Sequence, residues 1–254
     1  MKKRKAGIGI LVIVLIITAV RVKSMDSHRI SGRILAENIA GPGMMRLVEQ
    51  SMQAQAQKTS VTEIAVKEWK HPQAALTFDD GPDIRYTPLL LDGLKERNVR
   101  ASFFLLGEKV EQYPELVERM QKEGHLVGNH TYHHVQLDKL NETKAREEIL
   151  KTNNLIYETT GVYPLYLRPP FGAWKKNLEL CVEMLPVFWT IDTLDWKVKN
   201  TEKIVRTVKE QIEDGAIILM HDEYDTSVEA ALQVADDLKA QGYQLVTVDQ
   251  LILP

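Results

Sequence analysis

A chain of 254 residues, 44% hydrophobic and 26% charged, has the make-up of an ordinary globular protein, long enough for one large domain or two small ones. Its 32 lysines and arginines stand against 35 aspartates and glutamates, for a net charge of −3, which excludes the broad basic field of a nucleic-acid binder. One cysteine, Cys181, excludes an intramolecular disulfide. Set in the apolar stretch Leu178-Glu179-Leu180-Cys181-Val182, it reads as a small buried hydrophobe rather than a catalytic thiol.

At the N-terminus, Lys2-Lys3-Arg4-Lys5 precedes an uncharged apolar run over residues 6–20, the pattern of a secretory signal or an uncleaved membrane anchor. Fifteen residues fall short of the roughly 20 a full span needs, but Arg21 and Lys23 can snorkel outward and lengthen it. Thr18-Ala19-Val20-Arg21 is a poor cleavage site, so an anchor over 1–23 is favoured over a cleaved signal. The basic head should stay in the cytoplasm, with the rest of the chain outside the cell membrane. Large domains there need no disulfides. Residues 24–71 hold a Gly41-Pro42-Gly43 breaker and a Met-, Gln- and Ala-rich stretch of helical character over 44–57. They read as a stalk, partly helical.

From residue 72 to 254 the pattern changes to one domain of short apolar runs alternating with amphipathic stretches. Candidate strands are 74–78, 101–105, 125–129, 163–168, 187–191, 216–220 and 244–248. Between them, Thr87-Pro88 reads as an N-cap with proline at the first helical position. A helix over 140–160 should stop at Gly161, and Val228, Ala231, Leu232, Ala235 and Leu238 recur at helical spacing until Gly242. Seven such units argue for a parallel α/β architecture, a closed or nearly closed barrel or a doubly wound open sheet. In both, function collects at the carboxyl ends of the strands.

Five segments there carry reactive groups. Thr77-Phe78-Asp79-Asp80-Gly81-Pro82 puts two carboxylates at a tight turn, which is also a common turn composition. His130-Thr131-Tyr132-His133-His134 spaces two imidazoles four apart. On a helical turn both would face the same way and could join a carboxylate in an open zinc set. His133 should face elsewhere. Arg168-Pro169-Pro170-Phe171-Gly172 fixes a rigid loop that could present an arginine and backbone N–H groups to a pocket, or be only a loop. Asp192-Thr193-Leu194-Asp195-Trp196 is the fourth. Ile218-Leu219-Met220-His221-Asp222 delivers a histidine at a strand end, a placement that alone is more often structural. The force lies in the set, because all five would converge on one rim.

With these residues in hand, the chain resembles the polysaccharide deacetylases of carbohydrate esterase family 4: TFDDGP at 77–82, HTxxH at 130–134, RPPFG at 168–172, DxxDW at 192–196 and LMH at 219–221 occur in the family's order. The resemblance covers about residues 72–252 and implies a distorted (β/α) barrel of about seven parallel strands. It makes Asp80, His130 and His134 metal ligands, with zinc favoured and cobalt possible. It makes Asp79 the general base, paired with Arg168, and His221 the general acid, paired with Asp195. Pro170, Phe171, Trp196 and Leu219 would meet the substrate, with the Phe171 N–H facing the oxyanion. The expected activity is metal-dependent removal of N-acetyl groups from cell-wall polysaccharide, peptidoglycan N-acetylglucosamine first. Alternatives are O-acetyl esterase action on xylan or another wall polymer, or chitooligosaccharide deacetylation. A carbohydrate-binding module without catalysis would leave Asp79, Arg168, Asp195 and His221 without a reason. Expected partners are the polysaccharide and the membrane, not nucleic acid, and the chain is expected to act as a monomer.

Overall fold

The structure is a computed structural model that describes residues 71–174 and 184–252. The expected anchor (1–23), the stalk up to residue 70, and Cys181 lie outside the described residues. Among those described, no helix is long and apolar enough to cross a membrane.

The centre of the molecule is β1 (Gln73–Asp79), with all seven residues buried. It pairs in parallel with β2 (Ser102–Leu105) on one side and β7 (Ala216–His221) on the other. The sheet continues through β3 (Leu126–Asn129), β4 (Tyr166–Leu167) and β5 (Leu185–Pro186) at one end and β6 (Ile191–Asp192) at the other. A short β8 (Gln244–Leu245) joins the start of β1. Every ladder is parallel. The result is an α/β half-barrel whose helices include α1 (Tyr86–Glu96), α2 (Gly107–Gln112), α3 (Pro114–Lys122), α4 (Glu142–Thr160), α5 (Asp195–Val198), α6 (Thr201–Gln211), α7 (Asp225–Ala240) and α8 (Val248–Ile252).

Alternation along β1 separates two interiors. Ala74, Leu76 and Phe78 join Leu90, Leu94, Val234 and Leu238 in the large core between sheet and helices. Phe78 stacks on Phe103 at 5.3 Å. Burying a phenylalanine there contributes about 1.5–3 kcal/mol. Ala75 faces the other way, into a small cluster with Phe104, Tyr166, Val187 and Val248. The same parity turns Thr77 and Asp79 inward, above that cluster.

Three of the expected strands need correction. The run 187–191 is not one strand. Its flanks pair with opposite ends of the sheet: the Val187 N–H bonds the Leu167 carbonyl at 2.8 Å, and the Thr190 N–H bonds the Ile217 carbonyl at 2.9 Å. The segment crosses the gap between β5 and β6, which share no ladder. The run 163–168 is a strand only at Tyr166–Leu167. Pro164 has no N–H to give, and Tyr163 and Leu165 are exposed rather than packed. At 244–248 the strand ends at Leu245 and Val248 opens α8.

Helix ends follow local chemistry. Asn141 accepts from the Lys144 N–H at 2.9 Å at the start of α4, which ends at Gly161 with φ 72°, as only glycine adopts readily. α7 stops before Gly242, as expected. Thr87, however, lies inside α1. Asp83 caps that helix instead, accepting from the Arg85 and Tyr86 N–H groups at 2.8 and 2.9 Å.

Candidate functional site

Asp79 ends β1 with its side chain inside the half-barrel. Arg168, at the end of β4, reaches across to it. Its Nη1 donates to Asp79 Oδ1 at 2.8 Å and to Thr77 Oγ1 at 2.7 Å. Its other nitrogens donate to the Val187 and Phe188 carbonyls at 3.4 and 3.3 Å, and its guanidinium lies 4.2 Å from the Phe104 ring centre. Arg168 is fully buried. It therefore does not face a pocket; it sits behind one, tying the crossing segment to β1 and Asp79. Burial pushes the Asp79 carboxyl above its ordinary pKa, and the Arg168 charge offsets this only in part, with His221 and His134 adding to the offset.

Asp80 takes φ 70° and turns its carboxylate toward the loop after β3. Its Oδ1 lies 3.4 Å from His130 Nε2 and 3.4 Å from His134 Nε2. Ligands held about 2.0–2.2 Å from a tetrahedral ion stand about 3.3–3.6 Å apart, so the spacing fits one shared cation. Asp80 Oδ1 is buried with no hydrogen-bond partner, an orphan that a cation would satisfy. His130 Nδ1 contacts the Arg168 carbonyl at 2.6 Å. A carbonyl can only accept, so the proton sits on Nδ1 and the Nε2 lone pair faces Asp80. Burial pushes His130 down to about 3, only partly offset by Asp80, which keeps it neutral as a ligand must be. Among the described residues this is the group of three such side chains close enough to share an ion. The two imidazoles do turn the same way, both Nε2 atoms toward Asp80, with centroids 5.0 Å apart. The carrier is not the expected helical turn, however. It is a non-helical loop with φ 68° at Thr131 and 55° at His134. His133 points away, to Glu148 at 2.8 Å.

On the far side, His221 ends β7. Asp195 opens α5 and is fully buried. Its Oδ1 meets His221 Nδ1 at 2.7 Å and its Oδ2 accepts the His221 N–H at 2.7 Å. His221 Nε2 then faces Asp80 Oδ2 at 3.9 Å. Burial lowers the imidazolium's pKa, but the Asp195 bond and charge, with Asp79 and Asp80, outweigh it and lift His221 to about 9.

A cavity of about 520 Å³ opens over these groups. Asp79, Asp80, His130, His134, Phe171, Trp196, Leu219 and His221 line it. Pro170 is buried beside it, and Pro169 forms the wall instead. Phe171, at φ 61° and 67% exposed, packs edge-on against His134 with ring centroids 4.6 Å apart. Of the seven described non-glycine residues with positive φ, five (Asp80, Thr131, His134, Phe171 and Leu194) sit in the motif segments. Strain concentrates where function is placed. Sequence reasoning missed Trp189, Glu223 and Tyr224 in the cavity wall. It gave Asp192 and Asp222 no role. Asp192 lines the cavity and accepts from the Leu194 N–H at 2.9 Å. Asp222, fully buried, accepts from the Thr87 hydroxyl. Gly81 lies so close to it that a Cβ there would fall 2.5 Å from Asp222 Oδ1. The adjacency of Asp222 to His221 was the one signal available.

Fold and site together define a parallel α/β half-barrel with a candidate metal centre at the carboxyl ends of its strands. The chain belongs to the polysaccharide deacetylase family, whose model matches residues 67–189. It is 43% identical over 177 residues to the peptidoglycan-N-acetylglucosamine deacetylase PgdA of Listeria monocytogenes, covering 70% of this chain but 38% of that protein. A peptidoglycan-N-acetylglucosamine deacetylase of Bacillus cereus is 40% identical over 186 residues, covering 70% of this chain and 68% of the relative. The solved structure of the peptidoglycan deacetylase PdaC of Bacillus subtilis superposes with a TM-score of 0.70 at 43% identity, over 72% of this chain and 91% of that one.

Proposed function

We propose that the domain removes N-acetyl groups from cell-wall polysaccharide, peptidoglycan N-acetylglucosamine first, and releases acetate. The observation that carries this reading is the order of groups across the cavity: a buried carboxylate, a trio spaced to share a cation, then an imidazole bonded to a buried carboxylate. Relatives that bear the names of peptidoglycan deacetylases support the substrate class.

Asp80, His130 and His134 would hold a divalent cation, zinc being our choice, which when bound acidifies water and polarises a carbonyl. Asp79 takes the proton of the attacking water. Arg168 occupies its Oδ1 and leaves Oδ2 as the accepting atom, while burial strengthens it as a base. His221, charged at neutral pH because Asp195 holds its Nδ1 proton, donates its Nε2 proton to the departing amine. In the loop after Arg168, the Gly172 and Ala173 N–H groups bond back to Pro169 and Pro170, and the Phe171 N–H remains to face the oxyanion. Trp196 and Leu219 close around the acetyl methyl. The basic head and apolar run over residues 1–23 support an anchored, outward-facing placement.

The test is acetate release by the purified chain from N-acetylated and O-acetylated polymers, with and without chelator. Chelator-sensitive release from the N-acetylated polymer is expected. Release only from the O-acetylated one would overturn the amide reading.

A further inference from the structure

The three metal-facing side chains are not held alike. Asp80 follows directly from β1, and His130 is pinned through Nδ1 to the Arg168 carbonyl. His134 has no such tether: among the described hydrogen bonds none reaches its ring, which packs against the His130 and Phe171 rings and turns Nε2 to Asp80 Oδ1 at 3.4 Å. Its position depends on the backbone of the loop that carries it. That loop has two non-glycine residues at positive φ, each an unfavourable conformation unless surrounding bonds impose it.

Asn129 Oδ1 accepts the Thr131 N–H at 2.7 Å and Thr131 Oγ1 the Val135 N–H at 3.2 Å, and one further side chain supplies three bonds to the residues between them. Glu148 of α4 accepts from the Tyr132 N–H at 3.0 Å and the His133 N–H at 2.9 Å with one oxygen, and meets His133 Nδ1 at 2.8 Å with the other. Its side chain is 16% exposed, so these charge-assisted bonds are only partly shared with water. The helix beneath it is fixed. Ala145 and Ile149 are buried in a packed cluster, and the Asn129 amide bonds the Ile149 carbonyl at 2.9 Å and Asn153 at 2.7 Å. On the loop's other side, the Gly107 and Glu108 N–H groups bond the Thr131 and Tyr132 carbonyls at 3.0 and 3.3 Å. The loop is thus clamped between α2 and α4; on the α4 side Lys151 Nζ lies 3.4 Å from the Tyr132 ring centre, and the bonds to the loop's N–H groups come from one carboxylate.

We infer that Glu148 is a positioning residue for the metal centre: by binding the two backbone N–H groups between His130 and His134, it sets His134 where it can share an ion with Asp80. It touches neither metal nor substrate. Replacing it should lower the population of the loop conformation that binds metal, and so weaken metal affinity. The inference rests on the reading of Asp80, His130 and His134 as ligands.

The experiment is zinc titration of the apo chain against a competing chelator, with the thermal midpoint of the apo form measured beside it. Glu148→Ala should weaken zinc binding about tenfold or more. Glu148→Gln keeps a carbonyl oxygen for both N–H groups and should stay within about threefold of wild type. His133→Ala, which removes only the ring bond, should behave like the Gln variant. If Glu148→Ala does not fold, Glu148→Asp replaces it. Its carboxylate is withdrawn by one methylene, so it should bind zinc distinctly more weakly than Glu148→Gln. Wild-type zinc affinity in Glu148→Ala, or equal affinity in the Asp and Gln variants, would overturn the inference. His130→Ala is the control: if it too keeps wild-type affinity, the ligand assignment is what has failed.

Discussion

Two carboxylate pairs flank the candidate metal centre, and they resolve the contest between burial and charge differently. In Asp79–Arg168 both side chains are nearly inaccessible, at 4% and 0%. Burial wins there: Asp79 ends above its ordinary pKa despite a guanidinium at 2.8 Å. The Asp79 side therefore holds a strengthened base, not the depressed carboxylate that an arginine neighbour alone would give. In His221–Asp195 the carboxylate is fully buried and the imidazole 12% exposed. Here the partner wins, because the Asp195 bond to Nδ1 and the Asp195 charge, with Asp79 and Asp80, outweigh the desolvation of the imidazolium and lift it to about 9. Both outcomes raise a proton affinity, and each does so on the side where the chemistry needs it.

The comparison can be broken from either side. The largest effect should come from His130→Ala, which removes the centre between the pairs: metal content by elemental analysis and acetate release should both fall to background. Asp79→Asn should cost at least about 10²-fold in kcat while metal content stays at wild type. Retained turnover would show that the base lies elsewhere. Arg168→Ala leaves Asp79 buried without a counter-charge and unties the crossing segment. A loss of about 3–5 kcal/mol in a denaturant titration is expected, where loss of a surface arginine would cost little. Asp195→Asn should lower the His221 pKa, because it removes the anion that raises it. The imidazole then loses its proton at lower pH, and the alkaline limb of the kcat/KM profile should move to lower pH relative to wild type. A limb that does not move would detach His221 from the acid role.

How much of this the sequence carried depends on the range of the interaction. β1 was legible because a buried parallel strand is a continuous apolar run, and its end at Asp79 follows from the turn formers behind it. Gly161 and Gly242 were legible as helix stops because a positive φ selects glycine locally. The segment 187–191 was not. A five-residue apolar run has no periodicity to separate a strand from a crossing, and what fixes it is Arg168, some twenty positions earlier, donating to Val187 and Phe188. Thr87 looked like a cap because composition does not tell one hydroxyl partner from another. Its actual partners are the Asp83 N–H and the Asp222 carboxylate, the latter 135 positions away. The two metal-facing histidines were placed together for the wrong reason. Spacing by four suggested a helical turn, whereas a strained loop achieves the same approach with bonds from Glu148, which no local pattern reveals.

The account stands on one shared ion between the two pairs. Crystals of the chain grown with zinc and measured at the zinc absorption edge should show one strong anomalous peak within bonding distance of Asp80, His130 and His134, flanked by Asp79 and His221. A peak bound by other side chains, or none at this trio in a zinc-loaded protein, would contradict it.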